Sequence, residues 1–197
     1  MKEHGLIVVT SGVQAILDGR KTQTRRVIKP QPQDCIAWKA YPEFWDKSSI
    51  WVNCSQRILC PYGQVGDRLW VRETCVLYKP ELQDARMVIY KANLDTETAS
   101  NMNWHPSIHM PRWASRITLE ITGVRVERLQ EITEEDAKAE GIIVSPLWRG
   151  GVYIPYVLND AYRKEYCKLW DSLNAKRGYG WDTNPWCWCI SFKRVDG

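Results

Sequence analysis

The stretch that decides the fold is Ile16-Leu-Asp-Gly-Arg-Lys-Thr-Gln-Thr-Arg-Arg26. It begins at the end of a predicted helix, because Ser11 is a suitable N-cap and the apolar residues that follow keep helical spacing. Gly19 occupies a position where a left-handed residue commonly ends a helix. A basic run follows directly, and such a run is ordinarily a solvated face. Its members are Arg20, Lys21, Arg25, Arg26 and Lys29.

Short strands are predicted on both sides of this stretch. In one place Ile117, Leu119 and Ile121 alternate with polar residues, and the alternation resumes after Gly123. This pattern predicts two antiparallel strands within residues 117–128, joined at the glycine. Other strands are predicted over residues 5–9, 69–73, 87–90 and 186–192, and helices over residues 133–141 and 156–174.

The length and the mixture of elements favour one α+β domain built on a mixed or closed sheet. A chain of 197 residues is typical of a single domain with its own core. The periodic segments are separated by long stretches without a clear period, which predict loop-rich insertions. We therefore expect one domain over residues 1–197.

Composition indicates a reduced, cytoplasmic protein. The seven cysteines are odd in number and contain no C-x-x-C pair, which argues against a zinc ribbon and against a disulfide framework. The N-terminus lacks a signal-peptide pattern, and no apolar run is long enough to span a membrane. The net charge of +4 is too small to indicate nucleic acid by itself.

The chain contains eleven tryptophans but only two phenylalanines. Tryptophan suits cores, base-stacking surfaces and protein interfaces, so the count alone leaves these roles open. The spacing of His105 and His109 suggests a metal site, but Pro106 would break a helix between them, and no third ligand is near in sequence. No metal and no cofactor are predicted.

Several segments together resemble the ASCH-domain family of the PUA-like group. The segment 16–26 is similar to that family's opening motif, a helix and glycine followed by Lys-Thr-x-Thr-x-Arg. Gly66-Asp67 resembles its turn into a strand, residues 129–141 its short helix, and residues 186–192 its last strand. The long insertions make the chain look like the larger ASCH proteins of bacteriophages and prophages.

The resemblance implies a PUA-like mixed β-barrel with flanking helices and large loop insertions at about 30–60, 78–112 and 142–182. It also implies binding of RNA, a nucleotide or a modified nucleoside. Small bacterial members are similar to metal-independent amidohydrolases that remove the acyl group from N4-acylated cytidine. Their catalytic lysine, threonine and glutamate correspond to Lys21, Thr24 and Glu140.

Three functions follow as hypotheses. In a binding protein, Lys21, Thr24 and Glu140 would contact a base or phosphate; in an amidohydrolase, Lys21 would activate the Thr24 hydroxyl. A protein partner could instead bind the tryptophan-rich insertions. The predicted nucleic-acid-binding set is Arg20, Lys21, Arg25, Arg26 and Glu73. Glu73 has the alternative of a structural ion pair with Arg72 or Arg26.

Overall fold

The computed structural model describes residues 1–32, 49–52, 56–78, 87–144, 147–149, 152–154 and 160–195. Within these ranges the chain forms four α-helices: α1 (Thr10–Leu17), α2 (Thr96–Ser100), α3 (Glu134–Ala139) and α4 (Ala161–Asn174). The strands are β1 (Glu3–Ile7), β2 (Gln23–Val27), β3 (Ser49–Val52), β4 (Gln56–Leu59), β5 (Arg68–Arg72), β6 (Cys75–Tyr78), β7 (Met87–Tyr90), β8 (Thr118–Arg128), β9 (Leu147–Arg149), β10 (Val152–Ile154) and β11 (Trp186–Val195).

A five-stranded mixed sheet, in the order β1-β5-β8-β11-β2, organises the fold. β1 and β5 are parallel, and the other neighbours in this sheet are antiparallel. The predicted α+β fold with a mixed sheet and flanking helices is confirmed, and the predicted last strand pairs within this sheet. The sheet is open rather than a closed barrel, since β1 and β2 form its edges within the described part of the chain.

The prediction of two antiparallel strands within residues 117–128 is wrong, because β8 is one continuous strand. Its partner β11 shifts register between Ser191 and Phe192: Ser191 pairs with Gly123, and Phe192 pairs with Ile121. Thr122 is therefore an extra residue, which is the geometry of a β-bulge. A bulge moves the apolar alternation from odd to even positions, and the sequence pattern alone does not distinguish this from a turn.

The alternation of β11 separates two apolar layers. Trp188, Ile190 and Phe192 join the main core, which also contains α1 and the inner residues of β5 and β8. Cys187 points to the other layer, where Tyr166 and Trp170 of α4 pack with residues around α3. Helices α3 and α4 are therefore held against the sheet beside β2.

Pairs of short strands lie within the first and third predicted insertions and at the start of the second. β3 pairs with β4, β6 with β7, and β9 with β10, each as a separate two-stranded antiparallel sheet. The second predicted insertion, at about 78–112, is not all loop, because it also includes α2 and short 3₁₀ turns. The predicted start of the longest helix, residues 156–159, and most of the first insertion lie outside the described residues. No described helix combines the length and apolarity needed to cross a bilayer.

The glycine after α3 fixes how this helix meets α1. Gly141 has φ +85°, and an added Cβ would lie 2.6 Å from the Ala15 Cβ and 3.0 Å from the Lys21 Cβ. Gly178 has a similar φ of +82° but open space around it. Both positions favour glycine, and only Gly141 is also closed by packing.

We predict that Gly141→Ala lowers the free energy of unfolding by more than Gly178→Ala does. Left-handed backbone costs each variant roughly 1–2 kcal/mol, and overpacking adds about 1–3 kcal/mol at Gly141 only. Urea unfolding of both variants measures the difference. Equal losses would contradict the close approach of α1 and α3.

Candidate functional site

The centre of the candidate site is a buried ion pair between Lys21 and Glu140. The Lys21 Nζ lies 2.6 Å from the Glu140 Oε2 and donates a second hydrogen bond, of 2.9 Å, to the Glu140 carbonyl oxygen. Only 8% and 4% of the two side chains are exposed. The structure thus brings together two residues that are 119 positions apart in sequence.

Backbone hydrogen bonds place this pair. The Lys21 amide donates to the Ala15 carbonyl at the end of α1, and the Thr22 amide donates to the Ala139 carbonyl at the end of α3. Lys21 and Glu140 also form an isolated antiparallel bridge. The start of β2 is therefore tied to both helices, and neither side chain depends on a free loop for its position.

The protonation of Lys21 is set by opposing effects. Burial lowers the pKa of the Lys21 amine, the Glu140 carboxylate opposes this shift, and Arg25 and Arg26 add to it. Burial is the larger effect, so the pKa of Lys21 lies below its ordinary value. A lowered pKa means that, at a given pH, a larger fraction of the Lys21 amine is neutral than for a lysine in water.

One oxygen of the Glu140 carboxylate is not used by the protein. Among the described residues, Oε1 has no hydrogen-bond partner, although it is fully buried. The Arg25 Nη1 lies 3.7 Å from it, which is too long for a hydrogen bond, and this nitrogen also has no hydrogen-bond partner among the described residues. A buried acceptor without a partner is uncommon and costs about 1–3 kcal/mol. The Oε1 atom is therefore available to a donor that enters the site.

Arg25 lies next to the pair, and carboxylates balance its own charge. Its side chain is 0% exposed, and Nη2 donates to Glu127 at 2.8 Å and to Asp136 at 2.9 Å. Arg125 contacts the same two carboxylates. Burial raises the pKa of the Cys189 thiol, so it remains protonated and donates to Glu127.

The ion pair opens into a cavity of about 550 Å³. This cavity lies where the edges β1 and β2 fail to meet, with α4 along one side. Its size is within the usual range of small-molecule sites. Polar and charged groups share its lining with aromatic and apolar side chains. The polar members are Lys21, Thr24, Arg25, Arg26, Lys29, Glu140, Asn174 and Arg177, and the aromatic members are Tyr62, Tyr166, Trp170, Tyr179 and Trp188.

Thr24 lies on β2 and lines the same cavity, so all three residues of the resemblance-based set share one site. The residue is buried, with 5% of its surface exposed. Its hydroxyl donates no hydrogen bond to a described residue, nor accepts one from it. The hydroxyl is consequently available to a ligand, as the Glu140 Oε1 is.

The remaining predicted residues are not all at this site. Arg20 is outside the cavity, and its guanidinium contacts Asp18 and the Gly141 carbonyl. Arg26 lines the cavity and donates to the Ile7 carbonyl, bridging the two sheet edges.

Glu73 does not line the cavity. It is almost fully buried and forms a bidentate ion pair with Arg116, with both contacts at 2.9 Å. Glu73 therefore forms a structural ion pair, which was the alternative to nucleic-acid binding, but its partner is Arg116 and not Arg72 or Arg26.

His105 pairs through its backbone with Cys75. The described residues contain no group of three or more side chains suited to a metal ion.

Sequence reasoning missed the partners that complete the site. Glu127 and Asp136 converge on Arg25 from β8 and α3. Lys29 also lines the cavity with its Nζ 4.9 Å from the centroid of the Tyr179 ring, although the two residues are far apart in sequence. Spacing along the chain carries no signal for such convergence.

No family model and no curated protein matches the chain. It is similar to a solved ASCH domain from Lactobacillus crispatus JV V101, with 13% identity and a TM-score of 0.42, covering 98% of this chain and 79% of that chain. It is also similar to a DUF984 protein from Enterococcus faecalis V583, with 13% identity and a TM-score of 0.40. That match covers 93% of this chain and 66% of the Enterococcus chain, just under two thirds of its length.

We predict that Glu127→Gln weakens the fold at neutral pH and flattens its acid sensitivity. Burial alone would raise the pKa of Glu127, but contacts with Arg125, Cys189 and Arg25 lower it overall. A lowered carboxyl pKa contributes stability above the unfolded value near 4.3, and this is lost as the pH falls through the folded value. The expected loss at pH 7 is about 1–3 kcal/mol.

The measurement is the free energy of unfolding between pH 7 and pH 2. Glu120→Gln is the matched control, since Glu120 lies on the same strand and pairs only with the exposed Lys193 among described residues. A Glu127→Gln protein with the wild-type pH profile would argue against the network around Arg25.

Proposed function

We propose that the chain binds a nucleobase-containing small molecule, a nucleoside or nucleotide, in the cavity beside Lys21 and Glu140. The observation that carries the proposal is the buried Glu140 Oε1, which has no hydrogen-bond partner among the described residues and belongs to a cavity-lining side chain. A carboxylate accepts hydrogen bonds and cannot donate them. The preferred ligand therefore presents a donor, such as the exocyclic amino group of cytosine.

The other cavity walls suit the same class of ligand. Tyr62, Tyr166, Trp170 and Tyr179 provide aromatic surface, and base–aromatic stacking contributes about 1–3 kcal/mol per base. The Thr24 hydroxyl is both a donor and an acceptor, so it can complete the contacts of a base edge. A flat ring with a polar edge satisfies both kinds of wall.

The distribution of charge favours a small ligand over a long RNA strand. A groove for RNA needs several cations free to contact phosphates. Arg25 is fully buried against carboxylates, and Arg20 pairs with Asp18 outside the cavity. Of the predicted cations Arg20, Lys21, Arg25 and Arg26, Lys21 is also paired, which leaves Arg26 as the member without an ion pair to a described carboxylate.

A second candidate function is hydrolysis of an N4-acylated cytidine, as the resemblance implies. The observation that favours it is the combination of a lysine whose pKa is lowered by burial with an unbonded threonine hydroxyl in one cavity. The neutral Lys21 amine would take the Thr24 proton as the oxygen attacks the acyl carbonyl. The amino group would leave with a proton, and water would then hydrolyse the acyl-threonine ester.

A protein partner for the tryptophan-rich insertions remains a prediction. Trp38 and Trp45 of the first insertion lie outside the described residues. Nothing in the described cavity favours this function, and it is therefore ranked third.

We predict that the wild-type protein binds cytidine about tenfold or more tightly than uridine, because uridine has an acceptor where cytidine has an amino group. In Glu140→Gln the amide oxygen stays on Lys21, so the amide NH₂ faces the cavity. This donor repels the cytosine amino group but donates a hydrogen bond to the uracil carbonyl oxygen, so the preference shifts toward uridine. Isothermal titration calorimetry with the two nucleosides measures it.

Glu135→Gln is the control, since Glu135 is exposed on the same helix. Thermal unfolding checks that Glu140→Gln is folded, and Thr24→Val provides a second, uncharged test of the cavity. Failure of the wild-type protein to bind any nucleoside or nucleotide would overturn the proposed function.

For the second candidate, we predict that turnover of N4-acetylcytidine rises with pH through the lowered pKa of Lys21. Lys21→Arg abolishes this turnover, because arginine stays protonated and cannot act as the base. Arg20→Lys, outside the cavity, retains it. The measurement is the release of acetate from N4-acetylcytidine between pH 6 and pH 10. If the wild-type protein releases no acetate, the hydrolase function is contradicted and nucleoside binding stands as the proposed function.

A further inference from the structure

We propose that the cavity contains a phosphate subsite formed by Lys29 and Arg177, and that its preferred ligands are nucleoside 5′-monophosphates. This inference rests on the proposed function, because it assigns the part of the cavity that the base does not occupy. It narrows the proposed ligands to nucleoside 5′-monophosphates and names Lys29 and Arg177 as the residues that select them.

Both cations line the cavity, and both are connected to Tyr179, which lines it as well. The Lys29 Nζ is 4.9 Å from the centroid of the Tyr179 ring, and Arg177 precedes this tyrosine by two residues. The Tyr179 backbone is itself held in place. Its amide donates to the Asn174 carbonyl at 3.2 Å, and its carbonyl accepts from the Trp170 Nε1 at 2.7 Å.

These cations differ from those at the inner end in how their charge is balanced. Lys21 and Arg25 contact carboxylates, whereas neither Lys29 nor Arg177 forms an ion pair with another described residue. Both are exposed residues that nevertheless line the cavity. The charge they bring to this end is therefore available to an anion.

The separation of the two ends fits a base, a sugar and a phosphate. Thr24 lies on β2, and Lys29 follows the end of this strand by two residues, after backbone pairing that extends to Ile28. The extended part from Thr24 to Ile28 spans roughly 13 Å, and Lys29 lies beyond it. This distance exceeds the length of a base alone, and the flexible Lys29 side chain can shorten it.

The polarity of the cavity fixes the direction of the ligand. One part of the lining offers the Glu140 Oε1, an acceptor without a described hydrogen-bond donor, and another offers one ammonium and one guanidinium group, which are donors. Arg26 lies between them on β2 and also lines the cavity. A ligand with a donor-bearing base at one end and a phosphate at the other matches both ends.

The test compares cytidine, cytidine 5′-monophosphate and inorganic phosphate by calorimetry. The wild-type protein should bind the monophosphate at least tenfold more tightly than cytidine, and inorganic phosphate only weakly. The double variant Lys29→Ala/Arg177→Ala should lose this advantage and keep its affinity for cytidine. Lys176→Ala is the matched control, since Lys176 is an exposed neighbour outside the cavity lining, and it should behave as wild type.

The outcomes separate this inference from the proposed function. Equal affinities for cytidine and its monophosphate would overturn the phosphate subsite and leave nucleoside binding intact. Inorganic phosphate binding as tightly as the monophosphate would mean an anion site without a nucleotide, which also overturns it. A protein that binds none of the three overturns both.

Discussion

The fold around the cavity depends on the buried ion pair between Lys21 and Glu140. Removing two charges from water costs several kcal/mol per ion, so such a pair persists only with close geometry and further hydrogen bonds. Both are present here. The Lys21 Nζ donates hydrogen bonds to the Glu140 carboxylate and to the Glu140 backbone carbonyl, and a backbone hydrogen bond joins the start of β2 to α3. Gly141 permits the approach, since a side chain there would overlap Ala15.

The surrounding network balances this pair and occupies several cations of the basic run with carboxylates. Three cations meet three carboxylates, so the cluster carries no net formal charge. The cations are Lys21, Arg25 and Arg125, and the carboxylates are Glu127, Asp136 and Glu140. A phosphate would compete with carboxylates already in place, and its binding there would leave a buried carboxylate unpaired. Lys29 and Arg177, which form no ion pair with a described residue, line the cavity as well.

Local patterns predicted the elements better than their partners. The Thr133 capping box and the strand over 186–192 follow from short-range rules, and both are present. The shift of alternation at Gly123 was visible but was interpreted as a turn, because a bulge is recognisable only when the partner strand is known. Lys21 and Glu140 were paired through family resemblance, since no spacing rule connects residues so far apart. For Glu73 neither the resemblance nor a local rule identified the partner, because Arg116 lies 43 positions away in sequence.

The cavity exists because the sheet does not close. Edge strands leave backbone groups unpaired, and proteins cover or bridge such edges. Here the Arg26 guanidinium bonds the Ile7 carbonyl across the gap, while Tyr166 and Trp170 of α4 line it from one side. The space is thus bounded by polar groups of two sheet edges and by aromatic rings of a helix. A closed barrel would fill the same position with paired backbone, so the opening between β1 and β2 determines both where a ligand can bind and why it must be partly polar and partly aromatic.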